Sequence, residues 1–159
     1  MVVVHPGSSS PVDEQCRGTQ WERNVASLRE IVSYAEDSGI VAAIENMPRN
    51  AKSFLTTPGE FELLEELGFD LNITLDVGHA NTMSNLTEFV GKLKARIVHV
   101  HIHDNKGDRD EHLVAGKGTV DWDYLRSSLS FAKITGVVES TSFSDAIECL
   151  GFASQLFRV

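Results

Sequence analysis

Residues 97–104 read Ile97-Val98-His99-Val100-His101-Ile102-His103-Asp104. The alternation marks a strand with Val98, Val100 and Ile102 on one face and His99, His101 and His103 on the other. Three imidazoles on one face are costly as core packing. They are cheap where a metal or an acidic ligand waits at the strand end. The alternative is one ligand or hydrogen-bonded core histidine, with the other two at the surface or behind it. Carboxylates close several other apolar runs of the chain, which favours at least one histidine ligand.

Four further apolar runs lie around this strand. Val2, Val3 and Val4 lead into His5-Pro6-Gly7, where Pro6 and Gly7 open a loop through Pro11. Residues 40–44 are apolar without alternation, as in a strand covered on both faces, and end in Glu45-Asn46. Residues 71–75 end in Asp76-Val77-Gly78-His79, where Gly78 is read as the residue that lets the backbone turn. Gly136, Val137 and Val138 end in Glu139. Helical spacing fills the intervals. Trp21, Val25, Leu28, Ile31, Val32 and Ala35 form one face over residues 20–37, stopped by Gly39. Thr57-Pro58-Gly59-Glu60 starts a second helix, which Gly68 ends. Leu86, Phe89, Val90 and Leu93 mark a third, residues 121–133 a fourth, and 146–157 a last one; 105–118 reads as a polar loop.

Strands joined by helical crossovers run parallel, so the fold class is α/β, with residues 1–159 as one domain. In such sheets the carboxyl ends of the strands share one face, where ligands bind. His5, Glu45, Asp76, His101 and Glu139 therefore converge. Converging carboxylates repel one another and hold protons unless a divalent cation is present. For any one of them the alternative is a helix cap or a salt bridge. Asn46 can orient Glu45 or hold a substrate hydroxyl. His79, three residues after Asp76, can face the same centre as ligand, acid/base or hydrogen-bond donor. His101 is the preferred ligand of its strand, and His103 lies nearer the mouth as support or substrate contact. Asp104 can hold an imidazole in one tautomer. Asp110 and His112 form a second small cluster, or a charged solvated loop beside Asp108, Arg109 and Glu111. Lys106, Arg109 and Lys117 can meet an anionic substrate group. Gly116-Lys117-Gly118 matches a phosphate loop only in part.

Composition narrows the partners. The formal charge of −9 disfavours nucleic acid, and there is no basic run. Cys16 and Cys149 lack a paired-ligand spacing, which fits a reduced, cytoplasmic setting. No run is long and apolar enough to span a membrane, and Met1 to His5 carries no signal-peptide features.

The ordered set His5-Pro6-Gly7, Glu45-Asn46, Leu75-Asp76-Val77-Gly78-His79, His101-Ile102-His103-Asp104 and Val138-Glu139, with Asp110-Glu111-His112 running on to Gly118, resembles the xylose-isomerase-like barrels. That group holds apurinic endonucleases of family 2 and sugar or sugar phosphate isomerases and epimerases. The resemblance implies a partial TIM barrel of about five parallel β/α units, similar to strands four to eight and thus to the C-terminal part of the family barrel only. The abrupt start in a strand then reads as a truncated origin, as an edge buried in a homodimer that completes the barrel, or as the edge of an open sheet that helices cover.

On this resemblance an isomerase or epimerase binds one divalent metal, manganese, zinc, magnesium or cobalt, through Glu45, Asp76, His101 and Glu139. Glu45 and Glu139 move a proton beside a carbonyl, and His79 touches a small sugar or sugar phosphate. The alternative is an endonuclease at abasic sites in DNA with up to three zinc ions, drawing also on His5, His79, Asp110 and His112. A third reading is an inactive metal-binding fragment. Metal count separates them.

Overall fold

The computed structural model describes residues 1–9, 16–49 and 52–157. The end of the first loop at Pro11 lies outside them. Five strands, β1 (Val2–Val4), β2 (Ala42–Glu45), β3 (Ile73–Asp76), β4 (Ile97–Ile102) and β5 (Thr135–Val138), form one sheet in the order β1-β2-β3-β4-β5. Every neighbouring pair is parallel. The helices are α1 (Arg17–Asp37), α2 (Pro58–Glu66), α3 (Val77–Thr82), α4 (Leu86–Leu93), α5 (Trp122–Ser128) and α6 (Phe143–Leu156). Because sequential strands are spatial neighbours, the sheet winds in one direction and curls into a partial barrel.

β2 and β3 are buried along their whole length, which explains why their sequences do not alternate. Leu28 of α1, Phe61 and Leu64 of α2, Phe89 and Leu93 of α4 and Leu125 of α5 join Ile44, Leu75, Val100 and Ile102 in one core. Two punctuation readings are borne out in detail. Gly39 follows α1 with φ +68°, the left-handed turn that favours glycine. Glu60 reaches back at the start of α2 and accepts the Thr57 N–H at 3.1 Å.

Two elements differ from expectation. Where a turn is expected at Gly78, residues 77–82 form the short helix α3, because Asp76 Oδ1 accepts the His79 N–H at 2.7 Å and caps it. The backbone at Gly78 is helical, so glycine is needed there for space: a Cβ would overlap the His103 ring. The helix expected over 121–133 stops at Ser128, and a 3-10 turn follows at Phe131–Lys133. Ser127 turns its hydroxyl back onto the Tyr124 carbonyl at 2.9 Å, the backbone competition that makes serine a poor helix interior.

Candidate metal centre

The sheet brings the strand ends together. Glu45 and Asp76 are the last residues of β2 and β3, and Asp76 pairs in register with His101 of β4. Glu139 directly follows β5 and donates its N–H to the Ile102 carbonyl at 3.2 Å. His101 Nδ1 then faces three carboxylates: Glu45 Oε1 at 3.4 Å, Asp76 Oδ2 at 3.5 Å and Glu139 Oε1 at 3.2 Å. The nitrogen is buried and makes no hydrogen bond to any of them. Without an ion, charge attraction to these carboxylates is all that holds the nitrogen, with no hydrogen bond to fix its direction. As the donor set of a cation it is well formed, since ligand atoms of Glu45, Asp76 and His101 all lie within 4.8 Å of one another. A buried histidine and carboxylate cluster able to hold one divalent ion is therefore present.

Asn46 fixes this centre from behind. It is fully buried, its Nδ2 donates to the Asp76 carbonyl at 3.0 Å, and its Oδ1 accepts the Asp76 N–H at 2.8 Å. Its own carbonyl accepts from His79 Nδ1 at 2.8 Å, which directs His79 Nε2 toward Asp110 Oδ2, 3.3 Å away. The amide, expected to orient Glu45 or to hold a substrate hydroxyl, is engaged with the backbone of β3. His103 follows β4, is completely buried, and donates from Nε2 to Asp76 Oδ1 at 2.9 Å.

A second group of donors comes from the loop. His112 Nε2 lies 3.0 Å from Asp110 Oδ2, and its Nδ1 lies 3.7 Å from Glu139 Oε2. Asp104 holds that loop in place and touches no imidazole. Its Oδ1 accepts from Asn105 N and Val120 N, and its Oδ2 from Gly116 N and Trp122 Nε1, all at 2.9–3.1 Å. Gly118 is glycine because a Cβ there would overlap Asp104. Sequence reading missed these anchors. The available signals were the glycines at 116 and 118 and a tryptophan four residues beyond.

The remaining candidates divide. Exposed His5 reaches the centre, with Nε2 2.9 Å from Glu45 Oε2. A cleft of about 310 Å³ beside it is lined by Ser8, Gln20, Arg23 and Asn24 among others. Lys117 is paired with Glu148 at the surface, 2.7 Å apart, and Lys106 is exposed with its backbone N–H on Glu111. His99 lies deeper, on the Thr135 hydroxyl at 2.6 Å and edge-on to the His101 ring.

Charge organises the centre. Burial alone would depress the His101 imidazole, but contacts with Asp76 and Glu45 push it up to about 10. His79 is likewise disfavoured by burial and pushed up to about 9 by Asp110 and Asp76. Burial would raise the Asp76 carboxyl; His101 and His103 outweigh it and hold it well below the usual carboxylate range. A raised histidine stabilises the fold fully below its unfolded value of 6.5, and that contribution is lost as pH rises toward its folded value. The metal-free chain is therefore expected to melt progressively lower between pH 6.5 and about 10. Calorimetry in chelator at several pH values checks this, and a flat profile contradicts it. At the acid end, the Asp76 contribution is lost only as pH falls through its depressed value.

The sequence pattern of the xylose isomerase-like TIM barrel family matches residues 1–152. This corrects the expectation of a resemblance restricted to a C-terminal part: the match covers nearly the whole chain, from β1 into α6. Two uncharacterized proteins of Methanocaldococcus jannaschii are similar. One is 37% identical over 155 residues, covering 93% of this chain and 53% of the relative. The other is 31% identical over 160 residues, covering 99% and 62%. The chain thus spans about half to three fifths of the length of these relatives. A crystal structure of a D-tagatose 3-epimerase-like protein superposes with a TM-score of 0.84 at 34% identity, covering 98% of this chain and 61% of that one. Among the described residues no helix is long and apolar enough to cross a membrane.

Proposed function

The chain belongs to the xylose isomerase-like TIM barrel family, and from that premise we propose that it is a divalent-metal-dependent isomerase or epimerase acting on a small sugar or sugar phosphate. The observation that carries the reading is the buried, unbonded His101 Nδ1 amid the carboxylates of Glu45, Asp76 and Glu139. The similarity to the epimerase-like structure supports it.

In this reading Glu45, Asp76, His101 and Glu139 hold the ion. Oxygen-rich donors with one imidazole suit manganese, magnesium, cobalt or zinc. The ion supplies stabilisation of charge developing on the substrate oxygens. Glu45 and Glu139 approach the same imidazole nitrogen from β2 and β5, so they flank whatever binds there. One removes a proton from the carbon beside the carbonyl and the other returns one, which inverts that carbon or moves the carbonyl. His79, with Nδ1 tied to the Asn46 carbonyl, offers Nε2 to a substrate oxygen. His5 and the cleft beside it, where Gln20, Arg23 and Asn24 stand among apolar residues, receive the rest of the sugar.

The test is solvent exchange. Incubated in heavy water with manganese and a panel of ketoses and their phosphates, the chain is expected to place deuterium beside the carbonyl of at least one. Glu139→Gln is expected to lower that rate by about 10²–10⁴. Exchange that survives unchanged in this variant contradicts the assignment.

A second reading is a zinc endonuclease at abasic sites. It rests on His5, His79, Asp110 and His112 crowding the same centre, and on three close donor groups, Glu45-Asp76-His101, Asp76-His79-His103 and His103-His112-Glu139, which suit up to three zinc ions. The charge of −9 weighs against a DNA groove. We place the chain in the cytoplasm on its cysteine usage.

For a protein partner we carry a second copy across the two open sheet edges. Val2, Ile31, Tyr34 and Ile40 are exposed near β1, and Val137, Phe143, Ile147 and Leu150 on β5 and α6. Light scattering is expected to give a dimer at micromolar concentration; a monomer rejects this part.

A further inference from the structure

The geometry points to a part for His103 that the donor set does not include: we propose that His103 is a positioning residue, which holds the Asp76 carboxylate for the metal and ties the loop carrying His112 to it. This rests on the reading of Asp76 as a ligand. His103 is completely buried, so it does not meet substrate. Its Nε2 sits against both Asp76 oxygens, at 2.9 and 3.1 Å. Asp76 Oδ1 also takes the His79 N–H at 2.7 Å. The carboxylate is thus held from one side and cannot swing, while Oδ2 looks toward His101. With Nε2 spent on Asp76, His103 acts through that residue; its Nδ1 makes no hydrogen bond and lies close enough to His112 and Glu139 to share an ion with them, the alternative that the band shape separates.

The ring lies in a built slot. On one side is Gly78, where any Cβ would overlap it. On the other is the His112 imidazole, parallel within 5° at a centroid distance of 4.1 Å. His112 takes a φ of +51°, uncommon for a residue with a Cβ, to present its ring there. The second ring nitrogen, Nδ1, faces Asp110 Oδ1 at 3.6 Å, so His103 stands between a carboxylate of β3 and one of the loop. An outer partner that orients a ligand in this way typically changes metal affinity 10–100-fold.

Cobalt titration of chelator-treated protein tests the proposal, with two readouts: affinity, and the visible band shape that reports donor number and kind. His103→Phe keeps a stacking ring and loses the donor. It is expected to bind cobalt about 10–100-fold more weakly with an unchanged band shape. His103→Gln retains an N–H able to reach Asp76 and is expected to recover most of the loss. If the phenylalanine variant does not fold, His103→Asn, which fits the slot and falls short of Asp76, takes its place with the same expectation. Wild-type affinity in Phe and Asn variants alike would mean that His103 only fills space. A band shape showing one nitrogen donor fewer would make it a ligand. Either result overturns the proposal alone. A wild-type chain that takes up no cobalt overturns the Asp76 ligand reading, and this inference with it.

Discussion

Asp76→Ala is expected to abolish metal uptake at this centre and to destabilise the fold. Asp76 is the residue on which most of the site converges. It caps α3, accepts from His103, faces His101 and is clamped through its backbone by Asn46. Loss of the cap costs about 1 kcal/mol. Loss of one partner from a buried ion pair costs about 3–5 kcal/mol, because the imidazoles left behind remain out of water. The affinity loss exceeds the roughly 100-fold limit of an outer-sphere change, since a ligand itself is removed. With Asp76 gone, His101 and His103 lose an attraction that raises them, so both are expected to titrate lower. Calorimetry and a metal titration on the same preparation check the two halves. Wild-type affinity in the alanine variant would place the ion elsewhere.

Asp104→Asn is the second large effect, and it is expected to appear first as stability. All four donors on Asp104 are N–H groups, two on each oxygen. Whichever way an asparagine amide is turned, its NH₂ meets two N–H donors that have no other acceptor there. Each hydrogen bond to a charged group contributes about 1.5–3 kcal/mol, so two lost bonds amount to about 3–6 kcal/mol. For a domain of this size that lowers the melting temperature by roughly 10 °C or more. The loop would then release Asp110 and His112 from the centre, while Glu45, Asp76 and His101 stay on their strands. The variant should therefore still bind one ion. A variant that melts with the wild type would mean that the loop is held by something other than Asp104.

These two residues also mark how far the sequence could be read. The strands were legible because each apolar run ends in a residue that can bind a metal. Parallel topology then predicts that His5, Glu45, Asp76, His101 and Glu139 converge, and their side chains lie together. The pairing of Asp76 with His103 spans 27 residues and the Asn46 clamp spans 30. No local pattern encodes such contacts; they exist only once the sheet has set the register. The role of Asp104 is hidden from the sequence for the same reason. Beside a histidine run it suggests an imidazole partner, yet its donors lie up to 18 residues downstream. α3 was missed because six residues with so few apolar positions carry no helical period, and its cap is the same carboxylate that serves the site. The break after Ser128 was within reach, since serines at 127, 128 and 130 interrupt an otherwise helical spacing.

The most direct test of the account is the number of metal ions per chain, measured by elemental analysis on protein purified without chelator and again after Asp76→Ala. One divalent ion per wild-type chain and none in the variant are expected. Two or three zinc ions per chain would move the assignment to phosphodiester hydrolysis. No metal, even after manganese or zinc is supplied, would contradict the reading of the strand-end rim as a metal centre.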